Sequence, residues 1–472
     1  MSQFEKLLKE LKNHAGLHRE KAETLYAQLA DALTHAILHG QLKPGDRLPP
    51  HREFASALGV NITTVTRAMA VLQQKGLVES RPGRGTQVAR GRHPAAQFQS
   101  APSNDPGVAD LSVNRPATDG YNHVLAQLLP RLADDPRFAD MKDYHPCEGP
   151  LWARQAIAQW LRHTGVDAQA DHILIAEGAQ HGIAHTLRSL TSSGDTVLAD
   201  SITYQGINGL CRTLGLNLLG VDADERGMCP EALRQACVEH QPRLLFLVPS
   251  IHNPTAITLD AERREALAAV IRQTDVLVIE DDVYRPLLEQ SPPPFAALLP
   301  EQTIYISALS KCIAPGLRMG FVMAPPALLQ GIAAMQRIDC WSNSPLTALI
   351  ATRLIEEGLA EGLVSEQREE LRIRQALLAT HLQGLAFQHS ATGTHAWLLL
   401  PEPWNSSRFA RLCQEQGVVL LPGGAFTLSP ELSPQAVRIN ISAALSREQL
   451  VKALTVISQL ARQGHLHMHN RI

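Results

Sequence analysis

Lys311 stands where an apolar, β-rich run stops. TIYISAL, residues 303–309, leads into Ser310 and Lys311, and a turn through Pro315 and Gly316 carries the chain to Arg318 and Gly320. A lysine at the mouth of a strand is costly to desolvate unless it is paired or used. Partial burial depresses its pKa, and the free amine can then attack an aldehyde to form a Schiff base. Arg318, seven residues on, has the fork that grips an anion bidentately. Taken alone, the stretch reads more readily as a surface loop with a solvated lysine, because short motifs recur by chance.

Four more features fall at the ends of apolar runs upstream. EGAQ, 177–180, opens a helical pattern with small residues, so Gly178, Ala179 and Gln180 can turn backbone N–H groups toward a phosphate. Tyr204 lies just past TVLAD, 196–200, where its ring could stack on a flat ligand. Asn253, in HNPTA, 252–256, offers a side-chain donor after RLLFLVP, 243–249. Asp281 and Tyr284 follow VLVIE, 276–280. A buried carboxylate there needs a cation, such as a protonated pyridine nitrogen, and Tyr284 could donate to a phenolate oxygen on the same ring. Each feature has a plainer alternative: a helix cap, a core aromatic with a wet tip, a turn residue, an N-cap. In this order, followed by Ser310, Lys311 and Arg318, they supply what pyridoxal 5'-phosphate requires. That is a lysine for its aldehyde, an aspartate for its nitrogen, a phosphate nest with an arginine, and a stacking ring.

The elements that must position these residues are those of a large folded chain. Its 472 residues suffice for two or three domains, and at 44% hydrophobic and 19% charged it can build a large core. HILIA (172–176), TVLAD, RLLFLVP, VLVIEDD (276–282), TIYISAL and GFVMAPP (320–326) read as strands. Helical stretches such as 180–191 and 261–272 lie between them. That alternation predicts a wound α/β sheet with its ligand at the strand C-terminal ends. From about 341 onward come helices, then HAWLLLP (395–401), GVVLLPGG (417–424) and VRINIS (437–442), a mixed set that predicts a smaller α+β subdomain.

The N-terminal region differs in charge. Residues 41–92 carry nine Lys or Arg against Asp46, Glu53 and Glu79, a net +6 in a chain of net −3. A polyanion partner is therefore expected for this module alone. A helical pattern over 24–39 is followed by the turn GQLKPGDRLPP, a short helix over 51–58 closed by Gly59, and a helix over 62–75 with Asn61 as N-cap. LVES, RPGRG and TQVAR then read as a two-stranded wing with a glycine-rich tip, which completes a winged helix-turn-helix plan. Residues 1–22 read as a charged helix. GRHPAAQFQSAPSNDPGVAD, 91–110, reads as a flexible linker. Seven scattered cysteines without a CxxC pair argue against a disulfide framework or a zinc site and fit a reducing cytosol. No signal-peptide core, membrane span or metal site is expected.

Residues 25–89 resemble the GntR family of bacterial regulators, through GQLKPGDRLPPHREFASALGV and TTVTRAMAVLQQKGLVESRPGRGTQV. The resemblance implies that Arg52 touches phosphate or base. It implies that Asn61, Thr63, Thr64, Thr66 and Arg67 face the groove, and that Arg84 and Gly85 enter the minor groove. Ile62 departs from the family, which often has Arg there. Residues 110–463 resemble the fold-type-I, class I/II aminotransferases, through EGAQ, Tyr204, HNPTA, EDDVY, SALSK with PGLRMG, and VRINIS. By that resemblance Lys311 is the internal aldimine lysine, Asp281 pairs with the pyridinium, and Tyr284 and Asn253 meet the ring hydroxyl. Gly178, Ala179, Gln180, Ser307, Ser310 and Arg318 hold phosphate, Tyr204 stacks, and Arg438 with Asn253 receives the carboxylate of an amino-acid ligand. Ala308 and Ala256 depart from the Ser/Thr and Gly usual at their positions. The combination resembles the MocR subfamily of GntR-type regulators. It implies a cytoplasmic homodimer that binds double-stranded operator DNA and senses pyridoxal 5'-phosphate or a small amino-type effector through an external aldimine. The alternative is a genuine aminotransferase with a DNA-binding appendage. The domains expected are an extension over 1–23, the winged helix over 24–90, a linker over 91–110, and the aminotransferase-like domain over 111–472, divided near 340.

Overall fold

The computed structural model describes residues 25–38, 42, 45–74, 77–81, 85–88, 107–428 and 433–463. The chain forms two compact units that divide after Gln99. The 1–23 extension and Arg84 at the wing tip lie outside the described residues.

In the first unit, α1 (Leu25–Leu38), α2 (His51–Leu58) and α3 (Ile62–Gln74) precede a hairpin of β1 (Val78–Arg81) and β2 (Gly85–Val88). The strands are antiparallel, with Val78 opposite Val88. Val65, Met69 and Leu72 recur at helical spacing and lie buried with Leu29, Leu33, Phe54 and both valines. Gly59 closes α2 in the left-handed conformation, φ 69°. Asn61 Oδ1 accepts the Thr63 N–H at 3.1 Å, the N-cap bond read from the sequence.

The second unit begins with β3 (Ala109–Asp110), α4 (Gly120–Leu132) and α5 (Leu151–His163). Then come β4 (Ile173–Glu177), α6 (Ala179–Leu190), β5 (Thr196–Asp200), α7 (Gln205–Leu214), β6 (Asn217–Val221) and a small hairpin of β7 (Ala223–Asp224) and β8 (Gly227–Met228). They are followed by α8 (Pro230–His240), β9 (Leu244–Leu247), α9 (Ala261–Ile271), β10 (Leu277–Asp281), α10 (Phe295–Leu298), β11 (Thr303–Ala308) and β12 (Met319–Met323). Seven of these strands form one sheet, in the order β4-β12-β11-β10-β9-β5-β6. β12 alone runs antiparallel to its neighbours. Apart from the edge strand β6, the parallel strands are nearly all apolar and buried, as expected where both faces are covered by helices.

Helices α11 (Pro326–Cys340), α12 (Pro345–Glu356) and α13 (Leu359–His381) lead to the second layer. There β13 (Phe387–His389), β14 (Ala396–Leu399), α14 (Ser406–Glu415), β15 (Val418–Val419), β16 (Leu421–Pro422), β17 (Ala436–Ile439) and α15 (Arg447–Gln463) follow. β13, β14, β17 and β16 make an antiparallel sheet in that order. β15 leaves that sheet and pairs in parallel with β3.

Three expectations change. GVVLLPGG, read as one strand, is split into β15 and β16, which join different sheets. The linker ends before Ala109, which is 6% exposed and donates its N–H to Gly417 O at 2.8 Å. Ladder pairing and apolar burial hold this stretch to the second unit. β6 was not anticipated, because Asn217 and Gly220 break its apolar run on an edge strand. Among the described residues, no single helix is long and apolar enough to cross a membrane.

Candidate cofactor and DNA sites

The C-terminal ends of β4, β5, β9, β10 and β11 carry the expected chemistry, and Arg438 arrives on β17. Lys311 Nζ donates to the main-chain carbonyl of Asn114 at 3.0 Å. Burial, then the charge of Arg438, pushes the Lys311 amine down to about 8, while Asp281 pulls the other way. Asp281 is 5% exposed, and its Oδ1 has no hydrogen-bond partner. Burial and the neighbouring Asp282 push this carboxyl up to about 7. Tyr284 is 2% exposed, and its hydroxyl oxygen accepts from Asn114 Nδ2 at 2.7 Å. Its own proton therefore remains free to donate.

Arg438 is buried without a carboxylate. Nη1 donates to Asn253 Oδ1 at 2.7 Å and Nη2 to Ser112 O at 2.6 Å. Nε has no partner, and the guanidinium lies 4.8 Å from the centre of the Phe426 ring. Burial lowers even this group to about 10. A guanidinium held only by neutral acceptors is an anion site.

The phosphate cradle is built from glycines. Gly178, at φ 88°, precedes α6, and the first N–H groups of that helix are unsatisfied donors. Arg318, itself left-handed at φ 52°, donates to Glu177 O at 2.7 Å. A Cβ on Gly178 would lie 2.6 Å from its guanidinium. A Cβ on Gly320 would lie 2.6 Å from Gly178 Cα. Tyr204 caps α7 over a glycine, and burial, then Asp281, raises its phenol to about 12. Gln180 turns its side-chain amide to Gly206 O at 3.3 Å.

The Ser307 hydroxyl is engaged within the protein, donating to Asp282 O at 3.2 Å. Ala308 is fully buried on β11, and Ser310 sits half-buried beside Lys311. Asn114 and His395 were missed. Asn114 touches both Lys311 and Tyr284 from a position 197 residues before the lysine. His395 is fully buried and packs edge-on to Tyr284, ring centres 5.7 Å apart.

The acidic run 280–282 is divided by strand alternation. Glu280 accepts N–H bonds from Phe295 and Ala296, both at 2.9 Å. Asp282 meets Arg285 Nη1 and the Tyr305 hydroxyl, each at 3.4 Å. Asp281 makes none of these contacts; one oxygen of Asp282 is open as well, but that carboxylate already has Arg285 beside it. Among the described residues, His181, His185 and Asp339 have the composition of a metal site. However, His181 Nδ1 accepts the Glu177 N–H at 3.1 Å, which leaves the proton of the neutral ring on the Nε2 that would have to ligate.

In the first unit, Arg52, Asn61, Thr63, Thr66 and Arg67 are exposed, and Thr64 is half-buried. Thr66 Oγ1 lies 3.2 Å from His51 Nδ1. Arg67 packs over Tyr26, 5.9 Å from the ring centre. Gly85 opens β2 exposed, at φ 78°. The front of α3 is thus a polar, solvent-facing surface.

Residues 106–457 match the family model for aminotransferase class I and II, and residues 25–88 match that for bacterial regulatory proteins of the GntR family. The chain belongs to the MocR subfamily of GntR-type transcriptional regulators. It is 31% identical over 445 residues to the HTH-type transcriptional regulator YdeF of Bacillus subtilis, covering 93% of this chain and 95% of the relative. It is 28% identical over 364 residues to the HTH-type pyridoxine biosynthesis transcriptional regulator PdxR of Corynebacterium glutamicum, covering 75% and 77%. The fold of the second unit is similar to that of an archaeal alanine:glyoxylate aminotransferase, TM-score 0.70 at 24% identity, covering 78% of this chain and 93% of that one. Use of pyridoxal 5'-phosphate follows from this family and fold.

Proposed function

We propose that the protein binds operator DNA through its N-terminal unit and pyridoxal 5'-phosphate in the Lys311 pocket. We further propose that a small amine bearing a carboxylate is its effector. The observation that carries this reading is a pair of opposite, buried and unneutralised charges, Asp281 and Arg438, that both act on Lys311. Such charges are expensive unless a ligand completes them. The residues fit the cofactor: the orphaned Asp281 Oδ1 suits a ring N–H, and the cradle of Gly178, Ala179 and Arg318 suits a phosphate.

When bound, the cofactor supplies an aldehyde that exchanges one amine for another. Lys311, lowered to about 8, offers its free amine at a modest cost in pH. Asp281 holds the ring nitrogen protonated. Tyr284 keeps its proton for the ring hydroxyl, because Asn114 already occupies its oxygen. Asn253 Oδ1 is taken by Arg438, which leaves its amide protons for the ring. Arg438 fixes an effector carboxylate, so the amine of an amino acid is presented where Lys311 stands. An effector held by Arg438 would favour one arrangement of the chain over another only through a difference in affinity for the two.

The partner chemistry is double-stranded DNA for the exposed face of α2 and α3, and a second copy of the chain for the second unit. Tyr144 and Ile338 are 83% and 79% exposed and Trp341 is 52% exposed, with the Tyr144 and Trp341 rings 5.5 Å apart. A second copy covering that apolar face would make a homodimer with two winged helices for a two-part operator. A genuine aminotransferase is the second reading, favoured by the completeness of the Lys311, Asp281 and Arg438 set.

Borohydride reduction of the cofactor-loaded protein, followed by peptide mass spectrometry, tests the site. The adduct is expected on Lys311 and absent from Lys311→Ala. An adduct that persists in that variant overturns the assignment.

A further inference from the structure

A cavity of about 390 Å³ opens between the two subdomains of the second unit, and none of the residues placed around Lys311 above lines it. The end of β5 contributes Asp200, the stretch after β6 contributes Asp222 and Asp224, and the walls include Ile257, Trp397 and Leu399. Among the described residues, no lysine or arginine lines it. Asp224 is neutralised by Arg263 at 2.7 Å, but Asp200 has no such partner. It is 7% exposed, and its nearest basic atom is His252 Nε2, 3.6 Å away and beyond hydrogen-bond length.

His252 is equally unspent. It too is 7% exposed. Its Nδ1 lies 2.8 Å from Thr255 Oγ1, and its Nε2 has no hydrogen bond. Buried polar groups are nearly always paired, so a carboxylate without a counter-charge beside an imidazole nitrogen without a bond, at one end of a cavity, marks the place of an absent partner. Burial pushes Asp200 up to about 7 and His252 down to about 4, as expected of groups that lack a counter-charge.

We propose that this cavity is a second binding site, for a small organic cation with an ammonium group on a short apolar body. The ammonium donates to the Asp200 carboxylate beside His252, and the hydrocarbon lies against Ile257, Trp397 and Leu399. With no cation in the lining, the cavity offers nothing to a carboxylate, so its ligand class differs from the amino acid expected at Arg438. The two sites are joined through His252. Its carbonyl lies 3.0 Å from His395 Nε2, and the next residue, Asn253, holds Arg438.

Isothermal titration of N,N-dimethylpentylamine into the cofactor-loaded full chain tests the proposal. A tertiary amine cannot condense with an aldehyde, so it reports on this cavity and not on Lys311. Saturable binding at millimolar concentration or below is expected, weakened at least about tenfold in Asp200→Asn and for the uncharged 1-pentanol. Ile257→Trp, which fills the cavity, should abolish it, and Lys311→Ala should leave it unchanged. Absence of binding, undiminished affinity in Asp200→Asn or Ile257→Trp, or loss of binding in Lys311→Ala would each overturn it.

Discussion

Arg438 and Arg52 carry the same side chain in opposite circumstances. Arg438 is 4% exposed and held by two neutral oxygens, while Arg52 stands in solvent on α2. Burial makes an uncompensated charge expensive, so Arg438 points to an anion by its surroundings alone. Solvent removes that expense, and Arg52 has no structural mark of its partner. The small-molecule site is therefore visible as a set of unsatisfied buried groups. The DNA face is visible only as an excess of basic residues in the sequence, a collective property that no single contact records.

The largest effect should come from Asp281→Ala. Removing one partner of a buried charge pair costs about 3–5 kcal/mol, so cofactor affinity should fall by about two to nearly four orders of magnitude in a fluorescence titration. The same change should act on the cofactor-free protein in the other direction. The folded value of Asp281, about 7, lies above its ordinary 3.8. The fold is therefore fully stabilised below 3.8 and loses stability as pH rises through about 7. Asp281→Ala should reduce that loss in denaturant melts, leaving the part due to Asp200 and Glu280, which burial raises in the same way. An unchanged pH profile would break the claim that its carboxyl is an unpaired charge.

Gly320→Ala comes next. The added Cβ meets Gly178 Cα and the first N–H of α6, and overpacking of this kind costs about 1–3 kcal/mol. Cofactor affinity should drop about tenfold or more through loss of the phosphate cradle. Arg52→Ala should weaken operator binding and reduce the salt slope by about one unit, with cofactor affinity unchanged. A salt slope equal to that of the parent would remove Arg52 from the phosphate contacts. The smallest effect is Ala256→Gly. Ala256 is left-handed, φ 62°, where Cβ costs about 1–2 kcal/mol and glycine entropy returns about 0.5–1. A net gain of up to about 1.5 kcal/mol is expected in chemical denaturation.

Residues that end strands were legible in the sequence, because apolar runs such as VLVIE and TIYISAL locate them. Lys311, Asp281, Tyr284 and Arg318 all fall where that pattern puts them. Asn114 was not legible: it reaches Lys311 and Tyr284 across 197 and 170 residues, and no local pattern marks it. Ser307 sits at a legible position, but the destination of its hydroxyl proton depends on Asp282 O, which spacing does not reveal. The three acids 280–282 looked alike in the sequence and were separated by the alternation of β10. Asn61 was read correctly as a cap, because its bond to Thr63 is local.

Occupancy of the Lys311 pocket should be read out at the operator. Candidate amino acids should be titrated into the cofactor-loaded full chain while cofactor absorption, operator affinity and keto-acid product are followed together. The account predicts that an effector which changes the absorption also changes operator affinity by about tenfold or more, a coupling of about 1.4 kcal/mol, with little turnover. Arg438→Ala should lose this response and keep the reducible adduct on Lys311. Rapid turnover to keto acid with operator affinity unchanged by every active amine would contradict it.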